Sequence, residues 1–199
     1  MLASMAGAKA DEQSFGPFSI RPDQPDLIFL QGDIGLDTYA DFGRARRAAP
    51  DATTLILNSP GGNVDQAMRI ARDVRSFDLR TYVPWRHGCY SACAYIYFAG
   101  ANRRATGQLG LHQISDPAFT AASLQERLAD LLDLFNELGV NAQITSHMLR
   151  TPPEALYILD RKQIRLLNAN ADADGWLVRE MLTAPTRSMA MGWSHCCKG

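Results

Sequence analysis

Two short stretches of the chain combine the residue types that acyl-transfer chemistry needs. Ser91 lies between an apolar run that predicts a buried strand and a run with helical spacing. A serine at such a turn suits a nucleophile, because the turn exposes its hydroxyl and the helix N-terminus behind it offers unpaired N–H groups. Gly61-Gly62 follows another predicted strand, and without Cβ atoms its backbone N–H groups can approach the same point. His112, further along, is a candidate base.

Each of these residues also has an ordinary structural interpretation. Serine is a preferred N-cap, so Ser91 could simply cap a buried helix. His112 stands in the apolar stretch Gly110–Ile114 and could be a core histidine bonded to backbone. His87 competes for the role of base, although it falls in a polar turn. The residues alone leave these alternatives open.

The elements that must position these residues alternate between strands and helices. Strands are predicted within residues 25–34, 54–57, 79–84 and 105–114, and helices over 37–48, from the cap Asn63 onward and over 91–98. This alternation predicts an α/β fold with a largely parallel sheet. Ser123 and Glu126 predict a capping box for a helix ended by Gly139, and further helices are expected over 141–149, 152–159 and 163–167.

Composition narrows the class of protein. The 199 residues are 46% hydrophobic with a net charge of −1, which predicts one domain and gives no basic excess that would indicate nucleic acid. The chain lacks an apolar run of the roughly 20 residues that a transmembrane helix needs. We expect no cofactor and no metal.

Ala8-Lys9-Ala10 fits the pattern before a signal-peptidase site, so residues 1–16 are either a signal-peptide remnant or a flexible start.

The four cysteines form two pairs, Cys89 with Cys93 and Cys196 with Cys197. A pair four residues apart on a helix lies near the limit of disulfide geometry, so Cys89 and Cys93 are expected to be small buried residues that pack around the serine. The terminal pair beside His195 is weak evidence for a metal site.

Residues 27–160 resemble the Clp-type serine peptidases, which have the ClpP/crotonase fold. The resemblance rests on Asn58-Ser59-Pro60-Gly61-Gly62, on the serine turn closed by Ala99-Gly100, and on Gly110-Leu111-His112-Gln113, in that order. It implies stacked β-β-α units with a mostly parallel sheet and C-terminal helices. The predicted organisation is a ClpP-like domain over 17–168 and a C-terminal extension over 169–199.

By this resemblance Ser91 is the nucleophile and His112 the general base. The N–H groups of Gly62 and Ala92 would form the oxyanion hole, and Gly61 would allow the supporting turn. The implied function is a serine hydrolase, most simply a peptidase that acts on peptides or proteins through an acyl-enzyme. The other class is a relative of the same fold without peptidase activity, either a binding or scaffold protein or an enzyme that acts on acyl thioesters.

The resemblance fails at the third member of the triad. The family places an aspartate shortly before a Ser/Thr-x-Pro-Glu stretch, and residues 146–150, which precede Thr151–Glu154, contain no carboxylate. Asp160 comes too late, and Asp116 is too close to His112. We therefore expect a neutral group to orient His112.

Two further expectations concern the setting of the protein. The family's members form rings or trimers, and the leucine-rich 124–138 helix favours self-association as a homo-oligomer. The cysteines around Ser91 and the arginine after the Ala99-Gly100 turn resemble a bacterial branch of the family that is often predicted to be exported. Together with Ala8-Lys9-Ala10, this resemblance favours the periplasm or cell envelope, with the cytoplasm as the alternative.

Overall fold

The computed structural model describes residues 12–115 and 118–171, in which strands and helices alternate along most of the chain. The strands are β1 (Gln13–Phe15), β2 (Phe18–Arg21), β3 (Gln24–Gln31), β4 (Thr54–Asn58), β5 (Arg80–Val83), β6 (Gly88–Tyr90), β7 (Arg103–Ala105), β8 (Gln108–Leu111) and β9 (Tyr157–Ile158). The helices are α1 (Thr38–Ala48), α2 (Val64–Ser76), α3 (Ala92–Ala99), α4 (Ala121–Glu137), α5 (Ala142–Arg150) and α6 (Arg161–Leu166).

The larger sheet has six strands in the order β1-β2-β3-β4-β5-β7. Its first two junctions are antiparallel, and the junctions from β3 to β7 are parallel. Parallel neighbours need crossover connections, and α1, α2 and α3 lie in the three connections that join β3, β4, β5 and β7. The predicted α/β class with a mostly parallel sheet is therefore confirmed.

A smaller sheet of three strands, in the order β6-β8-β9, carries the serine turn. β6 pairs in parallel with β8, and an isolated bridge between Ser59 and Cys89 joins it to the segment that follows β4. The prediction that the strand at 79–84 leads directly into the serine turn is wrong, because β6 intervenes. β6 has three residues and is defined by its pairing partners, which are distant in sequence.

The core lies where α2 and α3 pack together over the sheets. The apolar stripe of α2 is buried as its spacing predicts, and Asn63 caps the helix by accepting a hydrogen bond from the Gln66 N–H. All eight residues of α3 are buried, in agreement with its apolar sequence. The Phe135 ring of α4 lies 5.6 Å from the ring of Tyr95 and 5.7 Å from that of Phe98, so α4 covers the outer face of α3.

Two predictions about the C-terminal helices are wrong. Residues 152–159 form a turn and then β9, because the backbone of Ile158 pairs with Gly110 of β8. α4 begins three residues before Leu124, because Thr120 is its N-cap and forms the capping box with Ser123 rather than Ser123 with Glu126.

The ends of the described chain are tied to the fold at points that differ from the predicted boundaries 17 and 168. β1 lies within the segment that was set apart as a flexible start. Ala169 is fully buried, and Ala171 exchanges both backbone hydrogen bonds with Arg103. Ala8-Lys9-Ala10 and Cys196-Cys197 lie outside the described residues.

Arg103, the first residue of β7, has a buried side chain. Its guanidinium donates hydrogen bonds to backbone carbonyls, at 3.0 Å to Ala169, 3.4 Å to Phe98 and 3.5 Å to Gly100. Burial lowers the pKa of Arg103. The side chain therefore ties residues 169–171 to the turn after α3.

Within residues 12–115 and 118–171, no helix has both the length and the apolar character that crossing a membrane requires.

Candidate active site

Ser91 occupies a sharp turn between β6 and α3. Its backbone has φ +54° and ψ −126°, a conformation that non-glycine residues rarely adopt. The Ser91 N–H donates to the Gly110 carbonyl at 3.0 Å, which fixes the turn to β8. The Ser91 hydroxyl makes no capping hydrogen bond to α3, although the residue occupies the N-cap position. The simple N-cap interpretation therefore does not account for the serine.

The Gly61 turn lies directly against the Ser91 turn. Gly61 has φ +100°, and a Cβ atom built on it would lie 2.6 Å from the Tyr90 carbonyl oxygen and 2.8 Å from Ser91 Cβ. It would also lie 2.9 Å from the Ala92 nitrogen. Only glycine allows so close an approach at this φ. The two turns are therefore neighbours, the arrangement that the sequence predicts.

The backbone N–H groups of Gly62 and Ala92, one at each turn, have no acceptor among the described residues. Ala92 begins α3, where an N–H has no intrahelical acceptor. Ile34 pairs with this segment through the Gly61 carbonyl and the Asn63 N–H, which leaves the Gly62 N–H outside that pairing. Among the hydrogen bonds of residues 12–115 and 118–171, neither the Gly62 nor the Ala92 N–H acts as a donor.

Ser59 supports the glycine turn, a role that sequence reasoning missed. Its buried hydroxyl accepts a hydrogen bond from the Gly61 N–H at 3.1 Å, and its backbone exchanges hydrogen bonds with both ends of β6. The Gly61 N–H is thus already occupied. This contact leaves Gly62 as the glycine of the pair with a free N–H.

His112 follows β8 directly and is half-buried. Its Nδ1 lies 2.7 Å from the Gln113 carbonyl oxygen. Because a carbonyl oxygen only accepts hydrogen bonds, this contact requires a proton on Nδ1, and in the neutral imidazole the lone pair then lies on Nε2. The group that contacts Nδ1, the Gln113 carbonyl, is neutral. The sequence led us to expect that a neutral group would orient the ring.

β8 links the two side chains, because the Gly110 carbonyl holds the Ser91 N–H and His112 is two residues further on. Within the described part of the chain, no direct hydrogen bond joins the Ser91 hydroxyl to the His112 ring. Catalytic hydrogen bonds are often long or poorly aligned before substrate binds.

Gln113 connects His112 to the end of α5, and the sequence motif gave no reason to single out that role. Its N–H donates to the Thr151 carbonyl at 2.9 Å, and its side-chain Nε2 donates to the Leu149 carbonyl at 2.7 Å. These two bonds fix Gln113, the residue whose carbonyl contacts His112 Nδ1. The segment at 146–151 therefore holds His112 in place through Gln113, without a carboxylate.

The cysteines on either side of Ser91 form a disulfide, so the prediction of two unlinked packing residues is wrong. Cys89 and Cys93 have Cα atoms 5.2 Å apart, well within the range of native disulfides. The prediction failed because it placed both cysteines on one helix, whereas Cys89 belongs to β6 and the chain turns sharply at Ser91 before α3 begins. Both residues are fully buried.

Two buried phenols belong to α3, the helix that follows Ser91. Burial raises the pKa of Tyr95 and that of Tyr97 above the usual value for a phenol. Tyr97 donates hydrogen bonds to the Ala169 carbonyl and the Asn170 side chain, so it serves to hold the chain beyond α6.

Comparisons with known proteins agree with this architecture. No protein-family model matches the chain, and no curated protein matches it. Among solved structures, ClpP1 from Listeria monocytogenes is 15% identical with a TM-score of 0.60, over 74% of this chain and 89% of that one. A Ser-to-Ala variant of the 1510-N membrane-bound stomatin-specific protease is 20% identical with a TM-score of 0.56, over 76% and 81%. A Lys-to-Ala variant of that protease in complex with a substrate peptide is 21% identical with a TM-score of 0.55, over 72% of each chain.

The chain has a Clp-type serine peptidase fold. Two aspartates were considered in the sequence as a third triad member, Asp160 and Asp116. Asp160 caps α6, where its carboxylate accepts the Gln163 N–H at 2.7 Å. Asp116 lies outside the described residues.

The capping role of Asp160 leads to a prediction for Asp160→Asn. Asparagine caps helices about as well as aspartate, so we expect both turnover and stability to remain close to wild type. Asp160→Ala should lower the free energy of unfolding by about 1 kcal/mol, because a cap is lost, and still leave turnover within a factor of about two. Thermal melts and steady-state rates on the two variants measure this. Loss of activity in folded Asp160→Asn would show that the carboxylate serves catalysis.

Proposed function

We propose that this protein is a serine hydrolase that cleaves peptide bonds. The observation that supports it most strongly is the Ser91 turn, which has a positive φ, leaves the hydroxyl uncapped and lies against Gly61. A strained turn between strand and helix is the setting in which serine nucleophiles are held at the edge of a sheet. The likeness to solved peptidases supports the same class of reaction.

The mechanism begins with Ser91. Its Oγ attacks the substrate carbonyl carbon while His112 Nε2 takes the hydroxyl proton. The carbonyl oxygen becomes an oxyanion and receives hydrogen bonds from the Gly62 and Ala92 N–H groups. Collapse of this intermediate breaks the C–N bond, and His112 returns the proton to the leaving amine. Water, activated by His112 in the same way, then hydrolyses the Ser91 ester.

The neutral contact at Nδ1 sets the expected rate. As His112 accepts the proton it becomes an imidazolium, which a carboxylate would stabilise more strongly than the Gln113 carbonyl does. The Gln113 carbonyl holds the same tautomer that a triad aspartate holds, so the loss of rate comes only from weaker stabilisation of the imidazolium. The enzyme is therefore slow compared with peptidases that have a complete triad.

A second function is favoured by one observation, the lack of a hydrogen bond between Ser91 and His112 in the described structure. A protein of this fold can instead use the oxyanion hole alone, on acyl thioesters, or bind partners without catalysis. Thioester turnover that survives Ser91→Ala would favour the thioester enzyme, because the oxyanion donors are backbone groups.

Turnover of fluorogenic peptides and of a short acyl thioester, measured side by side, tests the proposed function. We expect Ser91-dependent cleavage of peptides, lost in Ser91→Ala. Ser76→Ala is the matched control, since the Ser76 hydroxyl is exposed and donates only to the Asp73 carbonyl. Peptide cleavage that is the same in Ser91→Ala and wild type would contradict the proposal.

A location of the protein in the cell is proposed as well. We place it in the periplasm or cell envelope, and the Cys89–Cys93 disulfide supports this, because structural disulfides persist in oxidising compartments. Fractionation that finds the native protein wholly in the cytoplasm would contradict it.

Self-association is proposed from the leucines of α4, several of which remain only half-buried in the single chain. A strict monomer by light scattering at micromolar concentration would contradict that.

A further inference from the structure

The Cys89–Cys93 disulfide encloses Ser91, which stands midway between the two cysteines. It joins the middle of β6 to the first turn of α3, and Ser91 between them has φ +54°. A non-glycine residue in a sparsely populated conformation persists only where the surrounding structure over-determines it. A covalent link across the turn limits how far β6 and α3 can separate, and so restricts relaxation of Ser91 to a negative φ.

The ring that the disulfide closes over residues 89–93 also contacts the glycine turn, Gly61-Gly62. Cys89 bridges Ser59, whose hydroxyl holds the Gly61 N–H. Gly61 in turn leaves no room for a methyl group against Tyr90, Ser91 and Ala92, all of which lie inside the ring. A shift of the ring would therefore displace the nucleophile and one oxyanion donor together, relative to the Gly62 N–H.

We propose that the Cys89–Cys93 disulfide positions Ser91 and thereby makes the hydrolase activity depend on an oxidising environment. This inference rests on the proposed hydrolase function. Cys89 and Cys93 are positioning residues, because they act through the Ser91 turn and neither contacts the reacting atoms. The disulfide is fully buried, so reduction requires the turn to open.

The chemistry of the switch is ordinary thiol–disulfide exchange. A dithiol such as dithiothreitol attacks one sulfur, forms a mixed disulfide and then closes on itself, which releases the protein. The dithiol supplies two electrons and two protons, and it ends as a cyclic disulfide. The Sγ–Sγ bond is replaced by two protein thiols, and oxidised glutathione reverses the change.

The test compares oxidised, reduced and reoxidised wild-type protein, each verified by intact mass. We expect reduction to lower kcat and the rate of fluorophosphonate labelling by about 10–100-fold, since a misplacement of about 1 Å can cost ~10²-fold. KM should change by less than about twofold, because the expected loss is in the placement of the nucleophile and not in ground-state binding, and reoxidation should restore the activity. Circular dichroism at each stage reports whether the fold is kept.

Variants provide an independent measurement. Cys89→Ala/Cys93→Ala should behave like reduced wild type and should no longer respond to dithiol. Cys196→Ser/Cys197→Ser is the control, and it should keep the full response. If the first double variant does not fold, the reduced wild-type protein decides the question.

Each outcome has a definite meaning. Equal labelling of folded oxidised and reduced protein overturns the inference alone. Loss of the fold on reduction also overturns it, because the disulfide would then serve stability rather than positioning. A lack of labelling in the oxidised wild-type protein defeats the proposed function, and with it the inference.

Discussion

Replacing His112 with alanine is expected to lower kcat for peptide cleavage by about 10²–10⁴-fold, the usual contribution of a positioned general base. The half-buried ring is held at Nδ1 by the Gln113 carbonyl, which leaves Nε2 as the proton acceptor. The remaining rate would come from the oxyanion hole and substrate binding. KM should change little, because the imidazole acts on the proton of Ser91 and contributes little to ground-state binding.

His87→Ala is the matched control for this variant. His87 precedes Ser91 by only four residues and was the competing candidate for the base. It lies in the turn before β6, and its carbonyl accepts from the Gln108 N–H at the start of β8, whereas His112 follows the other end of β8. We expect its kcat to stay within a factor of about two of wild type, as for a surface residue outside the site. A reversed result, with His87→Ala inactive and His112→Ala active, would assign the base to the other histidine.

Gly61→Ala is expected to slow fluorophosphonate labelling by about 10²-fold and to destabilise the fold. The added methyl would meet the Tyr90 carbonyl oxygen, Ser91 Cβ and the Ala92 nitrogen, all closer than 3.0 Å. These atoms belong to backbone or to the first side-chain carbon, so the serine turn itself must move. A displacement of about 1 Å at a reacting group is enough for a ~10²-fold loss.

Gly32→Ala separates this contact from simple backbone strain. Gly32 has φ +102°, close to the +100° of Gly61, but a Cβ atom on Gly32 would meet nothing within 4 Å. Both variants should therefore lose about 1–3 kcal/mol of stability from the positive φ. Only Gly61→Ala should also lose the labelling rate. Equal labelling rates in the two variants, measured on folded protein, would contradict the close approach of the two turns.

The parts of the fold that could be predicted are those in which local periodicity and burial agree. α2 has a continuous apolar stripe and a capping asparagine, and α3 is apolar on all sides, so each specifies its own environment. The strands β3, β4 and β5 lie within apolar stretches of the sequence that are bounded by turn residues, which is why the parallel sheet could be predicted.

The parts that could not be predicted depend on contacts distant in sequence. β6 and β9 have three and two residues, and they exist because β8 pairs with both of them. The 152–159 segment has proline at a position suited to a helix start. Its last residues nevertheless form the strand β9, because they pair with β8. The disulfide was missed for the same reason, since its geometry follows from a strand and a turn where one helix was assumed.

The candidate site likewise has residues that the sequence could identify and contacts that it could not. Ser91, His112 and the glycine pair are recognisable from residue type and order. The contacts of Ser59 with Gly61, and of Gln113 with His112 and α5, come from common polar residues whose roles only the assembled structure reveals.

The reactivity of Ser91 is the central claim, and covalent labelling tests it most directly. The oxidised protein would be treated with a fluorophosphonate, digested, and the modified peptide sequenced by mass spectrometry. The account predicts a single adduct on Ser91, absent from Ser91→Ala, formed more slowly in His112→Ala and unchanged in Ser76→Ala. A folded, oxidised wild-type protein that takes up no label, or that is labelled at another serine, would contradict it.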